Sequence, residues 1–358
     1  MDVRIQGEVN EQRLQEFAGK AASDAAAALG VLLAYMGDQT GIYRAMRVMG
    51  RCRVPALAEA AGVDERYLLE WLSAQAAAGY VSYHSEDDTF SLSPEQAIVL
   101  AEEGHPANMQ GFFQCAVAQL ATHDKAVETL RSGAGRPWGE HHSCTFCGTD
   151  RFFRPGYIAN LLDAWLPSLD GVVAKLTQGA RVADVGCGHG SSTVLMAQAF
   201  PNSTFHGLDF HAPSIEAARS KAAEAGVSSN TVFTVAGAAD YSENDFDLVC
   251  MFDALHDMGD PVGVARHIKE SLRIDGTLML VEPMAGDSLS ENLNLLGQMF
   301  YSASTLICTP AARSQGPGVA IGAQAGEKRL RQILNEAGFT RVRRAAETAT
   351  NMVLEARR

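Results

Sequence analysis

The chain has 358 residues, which at roughly 150 residues per domain corresponds to two domains with enough chain for a core without disulfides. It carries 29 basic and 42 acidic side chains, a net charge of -13, which argues against a general nucleic-acid-binding surface. Its seven cysteines lack the spacing of small disulfide-bonded secreted domains. The longest apolar stretch, Ala25 to Gly37, is shorter than the roughly 18 residues of a membrane-spanning helix. We therefore expect a soluble cytoplasmic protein.

The N-terminal region is predicted to be helical, with a winged-helix pattern in its middle. Residues 25–36 are almost wholly apolar, which predicts a helix buried on most sides, with a second subunit as one partner. The pattern continues with a short helix over 54–63, a second helix capped by Asp64, two strands at 79–83 and 90–92 around an acidic turn, and a helix begun by Ser93. This order predicts a winged helix-turn-helix domain.

The charge of this region bears on its role. A winged helix that reads DNA needs basic groups on its second helix and wing. Residues 1–140 contain 11 basic and 19 acidic side chains, a net of -8, and the wing carries Glu86, Asp87 and Asp88. We therefore predict a dimerisation domain that forms a homodimer and lines part of the active site, without nucleic acid or membrane as a partner. A winged-helix transcriptional regulator is the alternative.

A connector rich in glycine, proline and histidine over 133–142 places the domain boundary near residue 140, giving domains 1–140 and 141–358. Strand and helix patterns alternate after it, with predicted strands at 181–185, 204–209, 232–235, 246–252 and 276–282. This alternation predicts an α/β fold, a Rossmann-like doubly wound sheet that is mostly parallel.

The strongest chemical signal is a glycine loop at the end of the first of these strands. Gly186, Gly188 and Gly190 alternate there, which allows a ligand to lie against the main chain. The spacing differs from the fingerprint of nicotinamide and flavin enzymes. Asp184, just before the loop, suits a cationic group, and Asp209 at the next strand end suits the two hydroxyls of a ribose. A nucleoside with a cationic tail and no phosphate, such as S-adenosylmethionine, satisfies these features. A nicotinamide oxidoreductase is a further alternative.

These motifs give the chain a resemblance to a known family. Asp184–Gly190, Gly207–Phe210, Phe152–Tyr157 and Phe252–Pro261 resemble the class I S-adenosylmethionine-dependent methyltransferases, within them the actinobacterial small-molecule branch with an N-terminal winged helix. The resemblance implies cofactor contacts: Gly186 and Gly188 under the methionine part, Gly190 completing the loop, Asp209 on the ribose, Phe210 on the adenine, Phe252 and Asp253 bordering the sulfonium, and Tyr157 closing the site. The acid usually found near the adenine amino group is missing, so backbone around Ala238 and Ala239, or the side chain of Asp240, is expected there.

The stretch from Leu255 to Asp260 resembles the His-Asp-x-x-Asp motif of small-molecule O-methyltransferases. The resemblance implies that His256 removes the proton of an acceptor hydroxyl. Asp257 is a candidate to orient the ring. A histidine that merely lines the site is the alternative interpretation.

An apolar stretch within residues 286–325 is predicted to form a lid over the methyl acceptor. Phe153, Met299 and Tyr301, with His256, are the candidate acceptor-binding residues. They predict a small, largely apolar acceptor, methylated on oxygen or, as a second choice, on carbon. No metal is predicted: one Cys-x-x-Cys pair stands alone, and no histidine follows His267.

Overall fold

The structure, a computed structural model, describes residues 8–358 and divides into two compact units, one ending at Val117 and one spanning Ala118–Arg358. This division falls earlier than the expected boundary near residue 140. The connector packs within the second unit, where the backbone N–H of Arg136 bonds the carbonyl of Pro310 (2.8 Å). Residues 1–7, the beginning of the predicted first domain, lie outside the described residues.

The first unit contains the predicted winged helix. Its elements are α1 (Glu11–Gln39), α2 (Ile42–Met49), α3 (Val54–Ala61), α4 (Glu65–Ala77), β1 (Ser82–His84), β2 (Thr89–Ser91), α5 (Pro94–Ala101) and the first part of α6 (Gln110–Ala121). Gly62 ends α3 with φ at 66° and the Asp64 side chain caps α4. Ser93 and Gln96 form a capping box at the start of α5. Local signals in the sequence thus account for the order of these elements.

Helix α1 is much longer than predicted and is mostly exposed within the chain. Ala34, Gly37 and Asp38 are its buried residues. The expectation of a helix buried on most sides is therefore wrong for a single copy, because most side chains of the helix are exposed. By length and composition alone, α1 is also long and apolar enough to cross a membrane.

The second unit is the predicted α/β domain. Its elements are α7 (His123–Ser132), α8 (Ser143–Asn160), α9 (Val172–Gln178), β3 (Arg181–Val185), α10 (Ser191–Ala199), β4 (Thr204–Asp209), α11 (Ala212–Glu224), β5 (Thr231–Val235), β6 (Phe246–Phe252), α12 (Pro261–Ser271), β7 (Leu272–Pro283), α13 (Leu295–Ala303), α14 (Thr309–Arg313), α15 (Gly326–Glu336), β8 (Arg341–Glu347) and β9 (Asn351–Arg357).

These strands form one seven-stranded sheet in the order β5-β4-β3-β6-β7-β9-β8. β9 pairs antiparallel with β7 and β8, and the other neighbouring strands pair in parallel. Apolar layers cover both faces, with Val182 and Cys250 in one layer and Val185 and Val249 in the other. This arrangement confirms the predicted doubly wound, mostly parallel sheet. The chain order reverses around β3, so a crevice opens at the carboxyl ends of β3, β4 and β6.

Candidate active site

The loop between β3 and α10 passes three times through the left-handed region, with φ of 76° at Gly186, 51° at Gly188 and 71° at Gly190. The surroundings of the last two glycines differ. A Cβ on Gly190 would lie 2.8 Å from Ala218 and 2.9 Å from Phe233, so this glycine serves packing. A Cβ on Gly188 would meet no described atom within 4 Å. The backbone of Gly188 therefore borders open space in which a ligand fits against the main chain.

Asp184 lies beneath this loop and is only 1% exposed. Its Oδ2 accepts hydrogen bonds from the hydroxyls of Ser192 and Thr193, both at 2.6 Å. Its Oδ1 is buried and has no hydrogen-bond partner among residues 8–358. Burial raises the pKa of Asp184 to about 6, against the opposing effect of the two hydroxyls. A buried carboxylate oxygen without a donor fits a cationic or N–H-bearing part of a ligand, the chemistry predicted for this residue.

Asp209 ends β4 beside the same loop. Its Oδ2 accepts from the backbone N–H of Gly188 (2.9 Å) and its Oδ1 from that of His211 (2.8 Å). Burial raises the pKa of this carboxyl, although both N–H donors lower it. The adjacent Phe210 ring is 49% exposed and so has a free face. The carboxylate is thus fixed at the crevice by main-chain donors, in the position expected for a ribose contact.

The loop after β5 completes this side of the crevice. The backbone N–H of Ala236 bonds the carbonyl of Asp209 (3.0 Å), which places the stretch containing Ala238 and Ala239 next to the acid. A Cβ on Gly237 would lie 2.4 Å from an oxygen of Asp240, so that carboxylate is folded back over the loop. The alternatives for the adenine contact, backbone or the Asp240 side chain, both stay open.

Asp253 directly follows β6 and has the unusual backbone φ of 49° for a residue with a side chain. Its carboxylate accepts from the Tyr157 hydroxyl (3.3 Å) and from the Asn351 side-chain amide (2.7 Å). Burial and the nearby Glu282 carboxylate raise the pKa of Asp253 to about 8. The Tyr157 ring contacts the Phe252 ring, with centroids 5.2 Å apart. The structure therefore brings Phe252 and Asp253, predicted to border the sulfonium, together with Tyr157, predicted to close the site.

His256 lies one turn further on and is 4% exposed. Its Nδ1 donates to Glu282 Oε2 at 2.6 Å, and the other oxygen of Glu282 accepts the backbone N–H of Leu255 at 2.8 Å. The Nε2 atom faces Asp257 Oδ1 at 3.3 Å. Burial by itself lowers the pKa of His256, but the carboxylates of Glu282 and Asp257 raise it well above the usual value. Glu282 therefore orients the ring and leaves Nε2 as the nitrogen available for chemistry.

The histidine turn and the glycine loop are neighbours. A Cβ on Gly186 would lie 3.0 Å from the Cβ of Ala254. Since Ala254 links Asp253 to the turn that carries His256, the cofactor crevice and the histidine belong to one site within the second unit. A group held along the glycine loop would therefore lie close to the histidine turn.

The predicted lid is a set of short helical segments that includes α13 and α14. Met299 is half-buried on α13, and Tyr301 accepts from the Asn292 side-chain amide at 3.5 Å. Phe153 stacks on Tyr157 with centroids 6.3 Å apart, which places it near the crevice. Phe153 thus lies beside the residues of the cofactor crevice. The acceptor-binding role of Met299 and Tyr301 stays a prediction.

Sequence reasoning missed three residues of this site. Glu282 is the buried acid at the end of the apolar strand β7, and an acid in that position is a usable signal. Asn351 begins β9 and reaches Asp253 from the last hairpin. Cys308 reaches the site from the lid, with its sulfur within 4.8 Å of a His256 nitrogen and an Asp257 oxygen, and nothing in the local sequence indicates that proximity.

Comparisons with known proteins agree with this geometry. Residues 176–338 match the methyltransferase domain family, and residues 27–102 match the Rv2258c-like winged HTH domain. No curated protein sequence matches the chain significantly.

Solved structures share the fold over nearly the whole chain. Mitomycin 7-O-methyltransferase is 18% identical with a TM-score of 0.69, covering 97% of this chain and 100% of its own. An O-methyltransferase family protein from Burkholderia thailandensis is 15% identical with a TM-score of 0.69, covering 98% and 99%. Human N-acetylserotonin methyltransferase, solved with S-adenosylmethionine, is 13% identical with a TM-score of 0.71, covering 99% of both chains.

The second unit is therefore a class I methyltransferase domain, placed after a winged helix-turn-helix domain. This domain has the fold of proteins that use S-adenosylmethionine, in agreement with the cofactor that the glycine loop and Asp184 predicted. The cofactor fits two features of the structure, the open space beside Gly188 and the unpaired Oδ1 of Asp184.

Proposed function

We propose that this methyltransferase transfers a methyl group to a hydroxyl oxygen of a small, largely apolar metabolite. The observation that carries the proposal is the buried pair of His256 and Glu282, joined at 2.6 Å beside the glycine loop. An alcohol or phenol must lose its proton to become a good nucleophile, and a positioned histidine is the usual acceptor of that proton. Transfer to carbon is the second choice, because an activated carbon acceptor does not need this pair.

The roles of the residues follow from their contacts. S-adenosylmethionine supplies a methyl group on a positively charged sulfur. Asp184 would hold the cationic end of its amino acid part, and Asp209 its ribose. Asp253, held by Tyr157 and Asn351, would lie near the sulfur. The positive charge of the bound cofactor would favour its ionised form, against the burial that favours the protonated form without cofactor. His256 would take the acceptor proton at Nε2 while Glu282 stabilises the imidazolium that forms.

The acceptor class is inferred from the apolar residues of α8 and of the lid. Phe152 and Phe153 are in edge-to-face contact on α8, at 5.0 Å between centroids. The lid helix α13 contributes the partly buried Leu296 and the buried Phe300. Aromatic and aliphatic surfaces with a few polar groups suit a compact apolar acceptor. Trp165, by contrast, is 1% exposed and packs in the core against Tyr157 and Phe252, so it supports the site from behind.

The proposal is tested by incubating the protein with S-adenosylmethionine and a panel of phenols, catechols and hydroxyquinones, and measuring S-adenosylhomocysteine. We expect product with at least one hydroxylated acceptor and none with its O-methylated counterpart. Equal turnover of both compounds, with methyl found on carbon, would contradict methylation at oxygen.

We further propose that the protein is a homodimer formed through its N-terminal domain. Along α1, the apolar side chains of Leu14, Phe17, Leu29, Leu32 and Met36 are 39–70% exposed at helical spacing. A stripe of this kind is usually covered by a partner, and the same helix of a second copy is self-complementary to it. Light scattering of the purified protein should give twice the chain mass, and Leu29→Glu should give the mass of one chain. A single-chain mass for the unmodified protein would contradict the dimer.

A cytoplasmic location is proposed with it. Residues 27–39 of α1 lie inside the match to the winged HTH domain, and the Trp71 indole N–H donates to the carbonyl of Leu33 (2.8 Å). This half of the helix therefore packs into a folded domain. Recovery of the untagged protein in the high-speed supernatant, without detergent, is the expected result, and recovery in the membrane pellet would contradict it.

A further inference from the structure

Three side chains with metal-binding atoms, among them the proposed base His256, converge at one point of the second unit. His256 and Asp257 come from the turn after β6, and Cys308 comes from the lid between α13 and α14. The imidazole nitrogen, a carboxylate oxygen and the thiol sulfur all lie within 4.8 Å of one another. His256 and Cys308 are 4% and 7% exposed. Two separate parts of the chain thus bring an imidazole, a carboxylate and a thiol to one point.

The spacing of these atoms suits a small cation. A tetrahedral zinc ion bound at about 2.0–2.1 Å holds nitrogen and oxygen ligands about 3.3 Å apart. In this structure His256 Nε2 and Asp257 Oδ1 are 3.3 Å apart. Asp257 Oδ1 is buried and makes no other hydrogen bond in the part of the chain that the structure describes, so the protonated ring of His256 is its partner. The nitrogen and the oxygen therefore lie at the distance that a cation bound between them in place of the proton would impose.

The second nitrogen of His256 has the arrangement usual behind a metal-bound histidine. Nδ1 donates to Glu282 at 2.6 Å, and Glu282 is itself anchored by the N–H of Leu255. Such a carboxylate fixes the ring and directs the Nε2 lone pair toward the metal. A set of nitrogen, sulfur and one oxygen ligand favours zinc, cobalt or ferrous iron over magnesium or calcium.

We propose that His256, Asp257 and Cys308 form a binding site for a soft divalent cation such as Zn²⁺, with Glu282 supporting the histidine. Three protein ligands leave the fourth tetrahedral position open. Metal binding and proton transfer use the same lone pair of Nε2, so the two states of His256 exclude each other. The effect on activity rests on the proposed role of His256 as base, whereas the binding site itself does not.

Cobalt is the probe, because thiolate-bound Co²⁺ gives a near-ultraviolet charge-transfer band. The full-length protein is stripped with a chelator, dialysed and titrated with Co²⁺ without cofactor or acceptor. We expect one ion per chain, a thiolate band, and loss of that band in Cys308→Ser. The matched control is Cys147→Ser, an exposed cysteine of the same unit, which should keep the band. Absence of a band, or loss of it in Cys147→Ser but not in Cys308→Ser, would overturn the site.

A second variant keeps the test valid if Cys308→Ser folds poorly. Glu282→Gln retains all three ligands, and we expect the thiolate band with about 10- to 100-fold weaker Co²⁺ affinity. An unchanged affinity would argue against this coordination of His256.

Activity measured with added Zn²⁺ and then with excess chelator separates the two proposals. We expect reversible inhibition that follows metal occupancy. If the cobalt titration shows the site but bound metal has no effect on methyl transfer, the metal site stands and the role of His256 as base is overturned.

Discussion

The glycine loop and the two acids of the cofactor side lie on one continuous stretch from Asp184 to Asp209. The acceptor side joins His256, Glu282 and Cys308 from three separate segments. On the cofactor side, the backbone shapes the site: Gly188 borders open space, and main-chain N–H groups donate to Asp209. On the acceptor side, buried titratable side chains face one another. The first side should therefore control binding, and the second should control the rate of transfer and its dependence on pH.

The largest effect is expected at His256. His256→Ala should lower the turnover number about 10²- to 10⁴-fold, because the acceptor loses its base, while cofactor affinity stays nearly unchanged. Single-turnover kinetics and calorimetry measure the two quantities. His123→Ala, an exposed histidine of the same unit, is the control. Turnover at the wild-type rate would remove His256 as base.

Asp209→Ala should mainly change cofactor affinity, the quantity that His256→Ala leaves nearly unchanged. If Asp209 accepts two charge-assisted hydrogen bonds from the ribose, as proposed, their loss should weaken the binding of S-adenosylmethionine and S-adenosylhomocysteine alike, by about 2–4 kcal/mol. Asp163→Ala, at an exposed acid of the same unit, should leave both affinities unchanged. If the Asp209 variant binds as tightly as the parent, the ribose assignment fails.

Asp253 lies where the two sides meet and should distinguish the charged from the neutral cofactor. Without cofactor the pKa of Asp253 is about 8, so the carboxylate is ionised above that pH. There, Asp253→Asn removes a negative charge near the sulfur, and we expect about tenfold weaker binding of S-adenosylmethionine and little change for S-adenosylhomocysteine. Equal losses for both would place Asp253 away from the sulfonium.

The same variant has a predicted effect on stability. The pKa of Asp253 is raised from 3.8 to about 8 in the folded protein, so folding favours its protonated form and loses stability as pH rises between these values. In the absence of cofactor, Asp253→Asn should therefore be more stable than the parent near pH 8, with the difference vanishing near pH 4. Thermal melts across this range measure it, and a constant difference would argue against the raised pKa.

The smallest effect is a shift of the pH profile. Glu282 raises the pKa of His256, and the base must be neutral to accept a proton, so the rate should rise with pH through that pKa. Glu282→Gln removes this stabilisation, and the rising limb should move to lower pH. If the rising limb of the pH–rate profile stays at the same pH in Glu282→Gln, a group other than His256 controls the pH dependence.

The same contrast explains what the sequence could predict. The glycine loop, Asp184 and Asp209 follow strand ends closely, and the spacing alone places them at one edge of a parallel sheet. Glu282 and Asn351 reach the site only through the pairing of β6 with β7 and of β7 with β9. The contact of Cys308 depends on how the lid folds back, which periodicity does not encode. The length of α1 was underestimated because the first half of the helix is mostly polar. Its burial was overestimated because its apolar stripe lies outside the core of the chain.

The central claim, a class I methyltransferase built around the Asp184–Asp209 crevice, is tested most directly by calorimetric titration of the purified protein. S-adenosylmethionine, S-adenosylhomocysteine and NADH are titrated separately. The structure predicts micromolar binding of the first two and no binding of NADH, because the glycine spacing and the buried Asp184 disfavour a pyrophosphate. Binding of NADH alone, or of none of the three, would contradict this account of the site.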